Sequence, residues 1–523
     1  MAIIDAGSFQ ILVGGAFSGF PDYTIIVDWN NDDVFSSSEE ITSDVLSVDW
    51  GRGRDPEEEN TPAGFATIIV SDPSGNYAPA SDFWGAGNVT MNRRVQAISV
   101  YKDTTYHLFD QRLQRLTPDV RPGNDQRTTL FFVDEMELLD NKKISFPNLG
   151  LTSADDLTGK LLLSGVAGKT FGSTSDGAIK NILDESSFSS TKRTIAQTGS
   201  TAEFWWTYGV SARSALKEIE RHEGQKSMIF INSSGSLEFH SSTHREGSAS
   251  VASFGAGSAD GLLFQSIAYE MSAKNVINIG EVTSHIRADS TLDVIANIPL
   301  TPNIIANGDT FSFIIRLDKP PIQNAIIPEA NANSTAGFAI VAAAPGVTSY
   351  ASSSNDKLIQ AEFFGASAAR IVITNNVGES VLVAAPETAI DQNNIAMRGF
   401  VFQDQPITSC NTDAASIGIY NRRVEVVDFP FFGSTVLSKN DNLAQDLVRN
   451  NSTAHASNIN FHLEGSDSNS IVQVLVRDLN ERITINSTGN LGITNTDFYI
   501  TRGDWSIQDG GHILVDWTLQ EAT

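Results

Sequence analysis

Short alternations of apolar and polar residues, each broken by a cluster of Gly, Asn, Asp, Ser or Pro, run through most of this chain and set its fold class. Strand side chains alternate between two faces, so such a pattern buries one face of each segment and reverses the chain at each cluster. Residues 23–29, 66–70, 94–101, 128–133 and 228–232 read as strands, with Asp72-Pro73-Ser74-Gly75-Asn76 as a typical intervening turn. Two hairpins are expected, 228–240 turning at Ser233-Ser234-Gly235-Ser236 and 497–519 turning at Gln508-Asp509-Gly510-Gly511. Helices are fewer. The strongest covers 211–223, with Ser211 as its cap, Gly224 as its stop and Ala212, Ala215, Leu216 and Ile219 on one face. Residues 176–185 and 441–450 are two more. The expected fold class is mainly β and multidomain, with short helices.

The chain has 523 residues, enough for several domains, and no short-period repeat is evident in it. With 41 % hydrophobic and 19 % charged residues it can bury sizeable cores. Sixty-two acids against 35 bases give a net charge of −27. That argues against a dedicated nucleic-acid binder, which needs a basic face, but not against a wall that nucleic acid slides past. Cys410 is the single cysteine, so an intramolecular disulfide and a Cys-rich zinc site are excluded. Residues 1–10 lack a basic stretch and are interrupted by Asp5, so no signal peptide is expected. No run approaches the length of a membrane-spanning helix. Composition divides the chain into 1–145, rich in strands; 146–285, with two helices and a hairpin; 286–408, nearly uncharged and turn-rich, read as an inserted β-sandwich; and 409–523, helix plus hairpins.

One loop has ligand spacing. In 28–39, Asp28, Asn30, Asp32, Ser36 and Glu39 supply side-chain oxygens at positions one, three, five, nine and twelve, and Val34 offers a carbonyl at seven. A hard cation such as Ca2+ needs six to eight converging oxygens, which this spacing can provide. Position six is Asp33, where calcium loops carry Gly. The bland alternative is a solvated acidic hairpin loop. His240 and His244, with Glu238 and Glu246 nearby, have a zinc-like i, i+4 spacing, but Ser-Ser-Thr between them is poor helix, and a surface loop is the plainer reading. The run Gly255 to Gly261 fails dinucleotide-loop spacing. Trp205 and Trp206, with Phe204 and Tyr208, read as core anchors before they read as a sugar platform. Nucleophile-elbow, phosphate-loop and HExxH signatures are absent, so no enzyme is expected.

Four stretches, in order, resemble one family: VDWNNDDVFSSSEEITSDVLSVDWGRGRD (27–55); FATIIVSDPSGNYAPAS (65–81) with Asn92-Arg93-Arg94-Val95; ARSALKEIERHEGQKSMIFINSSGSLEFHSSTHR (212–245); and parts of 416–519, including NLAQDLVRNN and DFYITRGDWSIQDGGHILVDWTL. They are similar to the tail-tip or baseplate hub proteins of long, non-contractile-tailed bacteriophages. The resemblance implies two tail-tube-like β-barrels per chain. The first would be 1–145; the second would be built from 146–285 and completed by 409–523, with the 286–408 sandwich inserted. It implies a homotrimer, so that six barrels continue a six-fold tube as a three-fold cap. It further implies docking to the distal tail protein ring, the tape measure protein and a tail fibre or central spike. DNA would pass through the lumen without specific binding, and the virion protein would be assembled in the host cytoplasm. The family's acidic loop is matched by Asp28, Asn30 and Asp32. Two positions depart from its pattern: Asp33 replaces a Gly, and Leu479-Asn480-Glu481 stands where Leu-Gly-Asp is common. The alternative function is a receptor- or glycan-binding tail protein acting through 286–408.

Overall fold

The structure is a computed structural model. It describes residues 19–55, 61–79, 81–119, 126–143, 149–150, 169–170, 177–196, 201–202, 210–224, 226–241, 244, 248–255, 262–271, 273, 276–299, 303–316, 318, 321–326, 339–342, 357–364, 368–376, 380–384, 394–432, 436–453, 456–486, 493–508 and 511–522. The fold is mainly β, with one large curled sheet and several small ones.

Among the described residues six strands come first: β1 (Asp22–Val27), β2 (Val45–Gly53), β3 (Phe65–Ser71), β4 (Arg94–Tyr101), β5 (Thr104–Asp119) and β6 (Arg127–Val133). They lie in the order β1-β4-β5-β6-β3-β2. β3 and β6 alternate buried and half-exposed residues along their length, as the sequence pattern requires. The sheet then continues across the molecule into the far end of the chain. β2 pairs antiparallel with Thr496–Gln508, which is followed by His512–Glu521, Ala456–Glu464 and Ser266–Met271. Arg482–Asn486 pairs with the first part of Thr496–Gln508, and Ala252–Gly255 lies beside it. Among the described residues twelve strands, from both halves of the sequence, thus share one sheet and one continuous apolar core.

The junction between the two strand modules is tight. Trp50 faces Trp505 across it, ring centroids 6.0 Å apart and planes 6° from parallel. The Arg52 guanidinium lies 4.6 Å over the Trp505 ring, whose Nε1 donates to the Val474 carbonyl at 3.2 Å. A side chain at Gly503 would overlap the Trp505 ring, and Gly53, at φ 99°, has the Thr501 carbonyl where a Cβ would go. Only glycine permits that approach.

A smaller α/β unit packs beneath the first module. Helices Glu135–Asn141, Ala178–Glu185 and Ala212–Glu223 cover the hairpin Met228–Ile231/Leu237–His240, which Arg193–Ile195 extends in parallel. Ser211 accepts from the Ser214 N–H and Gly224 stops the helix at φ 98°, as the sequence indicates. The strands Ile279–Pro299 and Asn394–Thr412 form an antiparallel ribbon, roughly 60 Å long at ordinary strand rise, that carries the small sheets of the 286–408 region. Helix Val436–Asn451 packs against its base through Ala444, beside Val282, Val427 and Phe429.

One buried ion pair ties these parts together. Arg54 Nη1 donates to Glu220 Oε1 at 3.2 Å, with both side chains almost fully buried. Its Nη2 donates to the Ser227 carbonyl at 2.8 Å, and its backbone N–H to the Thr501 carbonyl at 2.9 Å. Glu220 also accepts from Thr61 Oγ1 and the Ile229 N–H. Glu220→Leu strands a buried guanidinium without its carboxylate and is expected to destabilise by about 3–5 kcal/mol, whereas Arg54→Met with Glu220→Leu recovers most of that loss. Chemical denaturation of the three proteins checks this.

Candidate functional site

The acidic loop after β1 is anchored by Trp29, fully buried against Tyr77 and Trp84. Asp28, also buried, accepts the Asp32 N–H on Oδ1 and the Asp33 N–H on Oδ2, each at 3.0 Å. Asn30 Oδ1 accepts the Asp32 N–H and Asp32 Oδ1 the Val34 N–H, both at 2.9 Å. Glu39 accepts the Asn30 N–H at 3.0 Å and the Ser36 hydroxyl at 2.9 Å. The five side chains expected to form a cation loop are therefore brought into one hydrogen-bonded turn, while the Val34 side chain faces solvent. Asp33, at φ 60°, takes the left-handed conformation that a glycine there would supply. Arg94 on β4 binds this loop to the sheet, donating to Asp33 at 3.0 Å and to Asp110 on β5 at 2.7 Å, and Lys192 reaches Asp110 from the α/β unit at 3.2 Å.

The donor chemistry suits a hard cation, but the oxygens are held on the loop's own N–H groups. Among the described residues no three His, Cys, Asp or Glu side chains are grouped to hold a metal. Calcium binding at this loop is a proposal that rests on the donor set and the turn. Its check is the melting temperature: chelator lowers it, and Asp28→Ala with Asp32→Ala abolishes the response. A melting temperature indifferent to chelator leaves these residues as hydrogen-bond caps alone.

A second concentration of polar groups lies between the first module and the α/β unit, in a cleft of roughly 10 Å3 lined by Trp50, Arg52, Asp110, Asp134 and Asn232 among others. That is space for about one water, not for a substrate. Asp134 caps helix Glu135–Asn141, accepting from Met136 N–H at 2.9 Å and Gly64 N–H at 2.6 Å. Burial pushes its carboxyl up to about 7, against the opposing pull of those two donors and of Arg213. The unfolded chain ionises this group near pH 4 and the folded chain near 7, so its contribution to stability falls as pH rises between them. Asp134→Asn removes that slope. The mutant should gain on the wild type by about 1.4 kcal/mol per pH unit from pH 4 to 7, read from denaturation midpoints.

The other residues singled out by the sequence fall elsewhere. His240 and His244 stack with ring centroids 3.9 Å apart. Both ring nitrogens of His240 are engaged, Nε2 with Glu238 at 3.0 Å and Nδ1 with the Asn480 amide at 3.1 Å, so it ties the hairpin to the C-terminal module. Phe204, Trp205, Trp206, Tyr208, Glu246 and residues 256–261 lie outside the described residues. The Trp50–Trp505 junction was not anticipated from the sequence. A signal existed: four of the seven tryptophans follow an aspartate, at Trp29, Trp50, Trp505 and Trp517. Each is a core anchor of the large sheet. Trp517 stacks on Phe461 at 5.7 Å in the second module, much as Trp29 stacks on Trp84 at 5.7 Å in the first.

No family model matches the chain, and no curated protein matches it. Among solved structures it is similar to a tail protein from Neisseria meningitidis MC58, at 9 % identity over 96 % of each chain with a TM-score of 0.47. It is also similar to the 43 kDa tail protein of prophage MuSo2 from Shewanella oneidensis, at 8 % identity over 95 % of this chain and 98 % of that one, TM-score 0.46. A third is prophage tail protein gp18 from Listeria monocytogenes EGD-e, at 6 % identity over 96 % and 95 %, TM-score 0.37.

Proposed function

We propose that this chain is a structural protein of a bacteriophage tail: a trimeric hub that closes the distal end of the tail tube. The observation that carries the reading is the doubled sheet. One strand module comes from residues 22–133 and a second from 252–271 and 456–521, joined edge to edge through β2 and Thr496–Gln508. Three such chains would present six modules, which converts a six-fold tube into a three-fold cap. The four sequence stretches that resemble hub proteins support it, and they contribute to both modules and to the α/β unit between them.

In this reading the hub docks the distal tail ring, the tape measure protein and a central fibre. The chain's net charge of −27 suits a lumen that repels DNA and so lets it pass. Receptor engagement would loosen contacts between subunits and open that lumen. The long ribbon would hold the 286–408 region away from the tube.

Light scattering and negative-stain electron microscopy of the purified chain test the proposal. The expected result is a particle of three chains with three-fold symmetry and a central channel. A monomer that stays monomeric when the neighbouring ring protein is added would overturn it.

A further inference from the structure

Two polar groups lining the cleft between the first module and the α/β unit have hydrogen-bonding capacity that their neighbours do not fill. One is Gln111 on β5, which is 5 % exposed. Phe109, two residues before it, packs on Trp50 with ring centroids 5.5 Å apart, so alternation along β5 sends Gln111 to the same inner face. Its partner across the ladder is Val95, itself fully buried. Among the described residues nothing bonds to Gln111 Oε1, an atom sealed from solvent. Cores rarely leave a buried amide oxygen bare, because its lost hydration is then not replaced. The other group is Asp134, 4 % exposed, which lines the same cleft. Each of its oxygens accepts one backbone N–H, Oδ1 from Met136 and Oδ2 from Gly64. Burial sets its carboxyl at about 7, with Arg213 pulling down and Glu135 pushing up, so the side chain carries a proton below that pH. The O–H of a neutral carboxyl needs an acceptor, which neither N–H can be.

The other polar side chains around the cleft are committed elsewhere. Arg52 donates to Asp478 and to the Leu108 carbonyl, and Asp110 accepts from Arg94 and Lys192. The Asn232 amide donates to Glu238 and accepts the Ser234 and Ser236 N–H groups. We propose that the cleft is a binding site for a single water, which bridges Gln111 Oε1 to the Asp134 carboxyl and so ties β5 to the start of helix Glu135–Asn141. The space of roughly 10 Å3 fits one water. Water also fits both states of the acid. It donates one proton to Gln111 throughout, accepts from Asp134 when that side chain is neutral, and donates to it when it is ionised. A hard cation needs six or more oxygens, and the uncommitted groups here supply too few. An anion would meet Asp110 and Asp134. The inference concerns the junction itself and holds whether or not the chain is a tail hub.

Crystal structures of the full chain, grown below and above the pH at which Asp134 titrates, test this. The expected result in both is one solvent peak within about 3.2 Å of Gln111 Oε1 and of an Asp134 oxygen. Gln111→Leu keeps most of the side-chain bulk and removes the acceptor, so the peak should vanish in that variant. Asp134→Asn keeps a group that both donates and accepts, so there the peak should stay. Should Gln111→Leu fail to fold, the wild-type maps decide the matter alone. The proposal is overturned by a cleft without a peak, by a peak that touches only one of the two side chains, or by one that persists in Gln111→Leu. A peak ringed by five or six oxygens would also overturn it, since the occupant would then be a cation.

Discussion

The antiparallel pairing of β2 with Thr496–Gln508 is the contact on which the rest of the molecule depends. Each strand module alone would end in an unpaired edge, with backbone donors and acceptors open to solvent or to another chain. Joined, they bury Trp50 and Trp505 against each other and merge two apolar clusters into one core. The join closes a loop of most of the chain's length. Loop-closure entropy grows only slowly with length, so a buried indole pair and a run of ladder hydrogen bonds can hold it. It is also a contact of high sequence separation, which slows folding more than it weakens the folded state. The Arg54–Glu220 pair then fixes the α/β unit to this seam.

Much of the local structure was legible because the signals were local. β4 coincides with the expected 94–101 strand, and both expected hairpins are present. The 211–223 helix has the cap and stop read from Ser211 and Gly224. Among the described residues three α-helices were not foreseen: Glu135–Asn141, Ala414–Tyr420 and Ser468–Val476. The last reads Ser-Asn-Ser-Ile-Val-Gln-Val-Leu-Val, a composition rich in β-branched residues that favours a strand. Asp467 decides otherwise, through a capping box with Ser470 that satisfies the first free N–H groups of a helix. The first two are a single short turn or two, below the length at which a 3.6-residue period shows, and each is started by a capping aspartate, Asp134 or Asp413. Helix Val436–Asn451 extends ahead of the expected 441–450, where buried Asn440 accepts from Ser284 Oγ at 2.6 Å and donates to the Ile407 carbonyl at 3.1 Å, tertiary contacts that no local pattern records. The acidic loop was legible as a set of residues. Its hydrogen-bond geometry was not, because oxygen spacing alone does not say whether an oxygen faces a cation or a backbone N–H.

Asp33 and Asn480, the two positions at which the chain departs from the sequence pattern it resembles, have a common physical account. Asp33 stands at φ 60° and Asn480 at φ 67°, the left-handed region that glycine enters freely. Aspartate and asparagine are the residues that tolerate it best after glycine, because a short polar side chain can bond locally. Each also acquires a contact that glycine could not make: Asp33 with Arg94, Asn480 with His240. Both turns keep the left-handed conformation that glycine would supply while their residues become ties, one from the acidic loop to β4 and one from the C-terminal module to the hairpin. A pattern search that demands glycine at these places would miss turns that the backbone still makes.

Net charge by itself says little about function. The formal −27 counts every acid alike, yet Asp28, Glu39, Asp72, Asp134 and Glu220 are buried and spent on N–H, hydroxyl or guanidinium donors inside the fold. These carboxylates are held inside the fold and meet no partner directly. Only exposed acids such as Asp32, Asp33, Asp82 and Asp516 can repel or recruit a partner. Their position matters more than their number, because solution salt screens charges beyond about 10 Å.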